Sequence, residues 1–174
     1  MAGAPDTLTL KRHRDYDGRE WHPWLRRGLM LLVCLVGVLA LANLFGQHPS
    51  TATASSPAAT LRLYAPTHLR GGLLYMARFR VTAHSDLKQA TLVLDPGWAE
   101  GITINTIEPS PIGEASADGK LVLTLGHIPA GKSYILFIQL QVNPTNVGHR
   151  AQNVELHDGT TPLLRIKRTV TIFP

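Results

Sequence analysis

One stretch near the beginning of the chain is almost wholly apolar. Residues 28–45 read GLMLLVCLVGVLALANLF and contain no charged side chain. At a rise of about 1.5 Å per residue, this run covers about 27 Å as a helix, close to the thickness of a bilayer's hydrocarbon core. A helix packed in a soluble core would keep a polar stripe every 3.6 residues, and this run has none. The pattern predicts a single transmembrane helix over residues 28–46.

Basic and aromatic side chains flank the N-terminal side of this segment. Arg26 and Arg27 precede it directly, and Trp21 and Trp24 lie just before them. Amphipathic rings favour the headgroup layer, and basic residues collect on the cytoplasmic side. We therefore expect residues 1–27 to be a short basic cytoplasmic tail. These four residues would orient the helix in the plasma (inner) membrane, with the rest of the chain outside the cytoplasm.

A cleaved signal peptide is the competing interpretation. Residues 40–42 (Ala-Leu-Ala) and 52–54 (Ala-Thr-Ala) both offer a small-x-small cleavage site. Against cleavage, the apolar run is longer than a usual signal-peptide core, and the segment before it is long. The Arg26-Arg27 pair also raises a twin-arginine export signal, which Leu25 and Gly28 fit poorly. An uncleaved anchor is the favoured prediction, and cleavage stays open.

The next segment lacks the large apolar residues from which a hydrophobic core is built. Residues 47–60 read QHPSTATASSPAAT, without a charge, an aromatic ring or a Leu, Ile or Val. Such a composition buries too little surface to offset the entropy of ordering. We expect a flexible Ser/Thr/Ala/Pro linker over these residues.

From residue 61 onward the pattern changes to alternation with a period of two. In residues 75–83, for example, Tyr75, Ala77 and Phe79 alternate with polar or charged residues, which is typical of a strand with one buried face. Turn signals separate the alternating runs. The predicted strands cover about 60–65, 74–84, 88–95, 101–107, 120–126, 132–143, 150–157 and 163–173.

Short turns between these strands predict an antiparallel arrangement. The pattern indicates an all-β domain over residues 61–174, an antiparallel β-sandwich of seven or eight strands. The strands over 120–126 and 132–143 are predicted to form a hairpin, because only a short Pro-Ala-Gly turn separates them. Arg168 interrupts the last alternating run, which indicates a bulge or a sheet edge.

The later half of this region resembles a known class of domains. The run Leu125-Gly-His-Ile-Pro-Ala-Gly-Lys-Ser133, a strand, and then Asn143-Pro144 and Gly148 are similar to immunoglobulin-like domains of bacterial surface and secreted proteins. The resemblance covers about residues 120–174. It implies an immunoglobulin-like β-sandwich with an adhesive, spacing or scaffolding role, and it carries no catalytic residues.

Composition and charge narrow the function further. The net charge is +5, from 17 Lys+Arg against 12 Asp+Glu, and no segment has the strong basic excess of a nucleic-acid binder. The single cysteine, Cys34, excludes an intrachain disulfide framework, and inside the apolar run we interpret it as a small apolar filler. The Ala-, Leu- and Arg-rich composition is typical of a bacterial protein.

Signatures of catalysis and cofactor binding are missing. The sequence contains no HExxH, GxSxG or phosphate-binding glycine loop. Its histidines have no recognised ligand spacing for a metal. We predict no cofactor, no metal and no enzymatic activity.

Two features are candidates for partner binding. Arg78 and Arg80 project from the polar side of one predicted strand, with Arg165 and Lys167 on another, so together they could form a positive patch. The second feature is the longest predicted loop, residues 108–119, which includes Glu108 and Ile112.

The predicted function is display of a binding domain. We expect a single-pass protein whose immunoglobulin-like domain contacts a membrane or envelope protein, as an accessory or scaffolding component. The alternative is a module for carbohydrate or anionic polymer, although Trp98 is the only tryptophan outside the membrane region, which disfavours a sugar platform. A small envelope hydrolase is the third hypothesis. The sequence predicts no oligomeric state.

Overall fold

A computed structural model describes residues 21–42 and 47–174. The chain divides into two compact units, one with the N-terminal helix and one with all the strands. Most of the predicted cytoplasmic tail, residues 1–20, and the last part of the predicted membrane segment, residues 43–46, lie outside the described residues.

The helix α1 spans His22–Leu41. Pro23 lies in its first turn, where a missing backbone N–H leaves no hydrogen bond unmade. The helix therefore starts six residues before the predicted apolar span, and Trp24, Arg26 and Arg27 lie within it, because charged residues enter a helix as readily as apolar ones. None of its residues is buried. Within the described chain, α1 alone has the length and mean hydropathy to cross a bilayer, and a signal sequence would share both properties.

The second unit consists of thirteen short strands, with one 3₁₀ turn at Pro96–Trp98. The strands are β1 Pro49–Ser55, β2 Ala59–Pro66, β3 His68–Arg70, β4 Leu74–Ala83, β5 Leu87–Leu94, β6 Ile102–Glu108, β7 Gly113–Ala117, β8 Lys120–Ile128, β9 Ser133–Val142, β10 Gly148–Ala151, β11 Val154–Asp158, β12 Thr161–Ile166 and β13 Thr169–Phe173.

Two five-stranded antiparallel sheets make up the sandwich. Sheet I has the order β1-β2-β4-β9-β6, and sheet II has the order β12-β11-β5-β8-β7. A smaller sheet III, β10-β13-β3, contains a parallel pair between β3 and β13. The predicted all-β, immunoglobulin-like antiparallel sandwich is confirmed.

Alternating side chains of the two large sheets form one core. Sheet I contributes Leu61, Phe79, Leu136 and others, and sheet II contributes residues such as Leu92 and Leu123, all fully buried. Trp98 is also fully buried, and its ring centroid lies 5.4 Å from that of Phe79. Each such side chain stabilises the fold by about 1.5–3 kcal/mol through removal of apolar surface from water.

The strand count exceeds the predicted seven or eight for two reasons. The runs over 150–157 and 163–173 are each divided into two strands, because the chain passes between sheets II and III at both places. In addition, β1, β3 and β7 carry few large apolar residues, and alternation of large apolar residues is the signal by which strands are predicted.

The prediction of a flexible linker over residues 47–60 is wrong for most of its length. Strand β1 pairs with β2 in continuous antiparallel register from Pro49↔Pro66 to Ser55↔Thr60. Ala52 and Ala54 are partly buried against the core. Small residues give a weak hydrophobic signal, but backbone hydrogen bonds to a neighbouring strand need no side chain.

The predicted hairpin over residues 120–143 is also wrong. Strand β8 pairs with β5 and β7 in sheet II, whereas β9 pairs with β4 and β6 in sheet I. The short turn between them crosses from one layer to the other. It is held by hydrogen bonds from Gly131 N to Ala83 O, 2.8 Å, and from Ala83 N to Lys132 O, 3.0 Å. A short loop predicts that the two strands it joins are close in space, but it does not decide whether they lie in the same sheet.

Hydrogen exchange tests the assignment of β1. In the full-length chain, the amides of residues 50–55 that bond to β2 are expected to exchange more slowly than in the urea-denatured chain, because strand pairing protects them. Mass spectrometry of peptides that cover residues 47–60 measures this. Exchange at the denatured rate would restore the linker interpretation.

Candidate functional site

Two acidic residues at sheet II, Asp95 and Glu155, lie in a local network of ion pairs. Lys120 Nζ lies 3.7 Å from Asp95 Oδ1 and 3.8 Å from Glu155 Oε1. Arg165 bridges the same two carboxylates at 3.5 Å each. His157 Nε2 lies 3.0 Å from Glu155 Oε2. Arg165, a predicted partner-binding residue, is therefore already neutralised by this chain's own acids.

A second polar group lies buried where the three sheets meet. We call it the polar joint, and it consists of Tyr75, Trp98, Gln152, Asn153 and Arg168. The chain leaves sheet II after β12, and Arg168 is the residue directly before β13 of sheet III. Its backbone N–H donates to Asn153 Oδ1 at 2.9 Å. The bulge or sheet edge predicted at Arg168 is instead the place where the chain passes from sheet II to sheet III.

The side chain of Arg168 ties the joint to sheet I. Its Nη2 donates to the carbonyl oxygens of Ala65, at 3.1 Å, and Pro66 at the end of β2. The guanidinium carbon lies 5.8 Å from the centroid of the Trp98 ring, within cation–π range. Only 9% of the residue is exposed, and no described carboxylate lies within ion-pair distance.

Gln152 connects the remaining members. Its Nε2 donates to the hydroxyl of Tyr75 at 3.2 Å and to the carbonyl oxygen of Gly97 at 3.3 Å. A Cβ at position 97 would collide with the carbonyl oxygen of Ala151, so this approach requires glycine.

Burial changes the acid–base chemistry of the joint. Burial lowers the pKa of Arg168 to about 10, because the charged guanidinium is poorly solvated, although the nearby Tyr75 opposes this shift. Burial likewise raises the pKa of Tyr75 to about 12, against the smaller opposing effects of Gln152 and Arg168. At neutral pH the joint therefore holds a cationic guanidinium and a neutral phenol. The joint connects strands of the three sheets.

The outward side of sheet I differs from the ion-paired surface of sheet II, because its arginines form no ion pair with a described carboxylate. Register places Tyr64, Arg78, Phe137 and Glu108 in one row across β2, β4, β9 and β6. Arg62, Arg80 and Ile135 form the next row. We call the surface of Arg62, Tyr64, Arg78, Arg80, Ile135 and Phe137 the arginine face.

Cationic and aromatic groups meet on this face. The guanidinium of Arg78 lies 5.1 Å from the centroid of the Tyr64 ring. Tyr64 and Phe137 are 39% and 38% exposed, which is high for aromatic side chains in the middle of a sheet. Arg62 stands directly opposite Arg80, and such like-charge pairs are destabilising. Among the described residues, no carboxylate pairs with any of the three arginines.

The structure brings together some of the predicted site residues and separates others. Arg78, Arg80 and Glu108 share the outward side of sheet I, whereas Arg165 belongs to the ion pairs of sheet II. Lys167 is exposed in the link between β12 and β13. The predicted patch of four basic residues is therefore divided between two sheets.

The predicted contact loop over residues 108–119 is largely a strand. Residues 113–117 form β7, an edge strand of sheet II. Ile112 is 77% exposed, and the tip of its side chain lies over Gly126, where a Cβ would collide with it. The aromatic members of the face, Tyr64 and Phe137, were missed, although their outward register in alternating runs was a usable signal.

The predicted orienting residues lie at or near the start of α1; they are Trp21, Trp24, Arg26 and Arg27. The guanidinium of Arg27 lies 5.2 Å from the Trp24 ring centroid. In the part of the chain that the structure describes, no three His, Cys, Asp or Glu side chains are placed to hold a metal ion.

Comparison with known proteins gives likenesses of shape only. No protein-family model matches the sequence, and no curated protein is significantly similar to it. CaCohA2 from Clostridium acetobutylicum is similar at 13% identity and a TM-score of 0.46, over 68% of this chain and 93% of that one. A non-cellulosomal cohesin from Archaeoglobus fulgidus is similar at 12% identity and a TM-score of 0.42, over 63% and 88%.

A CARDB domain from Pyrococcus furiosus is similar at 14% identity and a TM-score of 0.41, over 70% of this chain and 98% of that one. Scores at this level do not by themselves establish a common fold. The sandwich architecture therefore rests on the strand pairing and packing of this chain.

Replacement of Arg168 tests the role of the polar joint. Arg168→Ala is expected to lower the free energy of unfolding by about 2–4 kcal/mol, because it leaves a cavity and removes the guanidinium donor from the carbonyl oxygens of Ala65 and Pro66. Urea denaturation followed by circular dichroism measures the change. The neighbouring exposed variant Lys167→Ala is the control, expected within about 0.5 kcal/mol of the wild type. Equal effects at both positions would contradict the joint.

The phenol of Tyr75 gives a pH test. Its folded pKa of about 12 lies above the unfolded value of about 10, so its contribution is complete below pH 10 and is lost as the pH rises through 12. Relative to Tyr75→Phe, the wild type is expected to lose about 1.4 kcal/mol of unfolding free energy per pH unit in this window.

Arg168 contributes with the opposite sign between its folded pKa of about 10 and its ordinary value, and Tyr75→Phe also removes the opposing effect of the phenol on this pKa. Urea denaturation from pH 8 to 12 measures the difference, with Tyr64→Phe, a change at an exposed tyrosine, as the control. Parallel pH profiles for wild type and Tyr75→Phe would contradict burial of this phenol.

Proposed function

We propose that this protein is a single-pass, membrane-anchored binding protein that presents the arginine face to a protein partner outside the cytoplasm. In this proposal α1 is an uncleaved anchor in the plasma membrane, and the sandwich is an accessory or scaffolding module of a bacterial cell envelope. The observation that carries the proposal is the row of Tyr64, Arg78 and Phe137, exposed and without a neutralising acid.

Charge complementarity supports a partner with acidic side chains. Three arginines on one face repel one another, and Glu108 is the only acid in their two rows. Carboxylates of a partner would remove this repulsion and make charge-assisted hydrogen bonds with the guanidinium groups.

The aromatic residues support a specific contact. Tyrosine, phenylalanine and arginine are enriched in protein interfaces, where each can bury a large area. Tyr64 and Phe137 lie on either side of Arg78 in the same row, so one protein surface can bury all three. The proposed contact is a sheet surface on which Arg78 lies between two aromatic side chains, with Arg62 and Arg80 in the next row.

Anchoring would supply the mechanism. A domain held near the bilayer meets membrane partners at a high effective concentration, so a contact of modest intrinsic affinity suffices. Such display requires no catalytic group.

Site-specific photo-crosslinking in cells tests this face. The photoreactive residue p-benzoyl-phenylalanine at Phe137 is expected to give a discrete protein adduct, and the same residue at the exposed Lys88 of sheet II is expected to give none. The double variant R78E/R80E is expected to lower the adduct yield about tenfold or more, because like charges would then face each other.

The charge-matched variant K88E/K132E changes the net charge equally at exposed positions away from the face, and its yield is expected to stay unchanged. An adduct that is indifferent to R78E/R80E would contradict the arginine face. Adducts with a glycan or an anionic polymer in place of a protein would favour the alternative of a polymer-binding module.

A further inference from the structure

Exposed apolar residues of the sandwich are not spread evenly. In residues 47–174, eight large hydrophobic side chains are exposed, and four of them lie at one end of the domain. These four are Leu73, Leu74, Val147 and Phe173, with exposures of 42%, 52%, 46% and 47%. Together with Arg70 we call them the apolar pole.

Backbone hydrogen bonds bring these residues together from three parts of the chain. Gly71 N donates to Phe173 O at 2.9 Å, and Val142 N donates to Leu73 O at 3.0 Å. Gly148 stands opposite Ile172 in β10 and β13, so Val147 lies beside Phe173. The close approach requires Gly71, since a Cβ there would lie 2.7 Å from the carbonyl oxygen of Pro144.

The chain enters the domain beside this pole. Pro49 pairs with Pro66, and the chain continues from Pro66 through β3 to Arg70 at the pole. Strand β1 begins eight residues after the last residue of α1. An extended chain covers at most about 3.5 Å per residue, so this connection reaches no more than about 28 Å.

Such a short connection limits which part of the domain can meet a membrane. If α1 is the anchor, Pro49 stays within that reach of the bilayer surface, and the opposite end, at Ser133 and Ser85, lies a full ladder of β4–β9 pairs away. Loops that expose several apolar side chains beside a basic residue are suited to the headgroup layer. Arg70 is exposed, and no described carboxylate pairs with it.

We propose that the apolar pole rests on the bilayer, with Leu73, Leu74, Val147 and Phe173 in the headgroup layer and Arg70 against lipid phosphate. This inference rests on the anchoring that is part of the proposed function. It goes beyond that function in giving the domain a fixed orientation. The arginine face then stands upright above the membrane, where a neighbouring membrane protein reaches it from the side.

Fluorescence quenching in vesicles tests the contact. The full-length chain is reconstituted in vesicles of phosphatidylcholine and phosphatidylglycerol. An environment-sensitive fluorophore is attached to a single cysteine at Leu74 in a Cys34→Ala background. Nitroxide lipids labelled at the headgroup are expected to quench this probe and shift its emission to the blue. The same probe at the exposed Ser133 is expected to show neither effect.

A variant pair links the quenching to the pole. With the probe at Leu74, the double variant L73E/V147E is expected to abolish the quenching, because it places two carboxylates against anionic lipid. The charge-matched control S85E/S133E, at exposed positions of the opposite end, is expected to leave it unchanged. Circular dichroism of each variant verifies that the sandwich is folded.

A third probe separates failure of this inference from failure of the anchor. The native Cys34, labelled within α1, is expected to be quenched by lipids that carry the nitroxide deep in the acyl chains. Quenching at Cys34 without quenching at Leu74 would overturn the apolar pole as a lipid contact and leave the anchor in place. No quenching at Cys34 would overturn both.

Discussion

The guanidinium of Arg168 is the group on which the sandwich depends most. It lies where the chain leaves sheet II for sheet III, and it donates to the carbonyl oxygens at the end of β2 in sheet I. A buried cation without a carboxylate partner loses much of its hydration energy. Two carbonyl acceptors of Nη2 and the face of the Trp98 ring offset part of that cost, whereas the buried Nε and Nη1 atoms have no hydrogen-bond partner in the described residues.

This joint explains why the domain can be built from so many short strands. Short strands contribute few ladder hydrogen bonds each, and the crossings between sheets leave backbone groups that need partners. Gln152, Asn153 and Arg168 supply those partners, while Trp98 fills the space beneath them. These polar groups lie where the three sheets meet, and the core around Phe79 and Leu123 remains wholly apolar.

Burial of one side of each strand also determines which residues lie on the surface of the domain. Because side chains alternate across a strand, each residue that β2, β4 and β9 bury in the core places a neighbour on the outward side. In sheet II, Lys120 and Arg165 are neutralised by Asp95 and Glu155. In sheet I the arginines have no such partner among the described residues, and the contrast between two surfaces of one domain supports a partner for the second.

Strand β1 connects the fold to the proposed orientation at a membrane. A flexible linker over residues 47–60 would let the domain rotate freely and sample any distance up to the reach of the linker. Pairing of β1 with β2 makes residues 49–55 part of the sandwich, so these residues do not act as a linker. In this proposal the apolar pole lies on lipid and the arginine face is oriented by it, so one short strand would affect both contacts.

Local patterns in the sequence determined the apolar helix, the all-β class and the outward position of Arg78 and Arg80. Each of these depends on which side of a helix or strand a residue occupies, and periodicity reports that directly. The same patterns were too weak for β1 and β7, whose small residues pair through backbone groups and leave little trace in hydropathy.

Only the tertiary structure decided which strands share a sheet and which charges meet. The short turn between β8 and β9 reads as a hairpin, yet it crosses between layers, because β4 and β5 are better partners for the two strands. Arg165 and Arg78 are alike in the sequence, but Asp95 and Glu155 reach only the first. Pairing across distant segments is set by packing of the whole core, and no local pattern of residues contains that information.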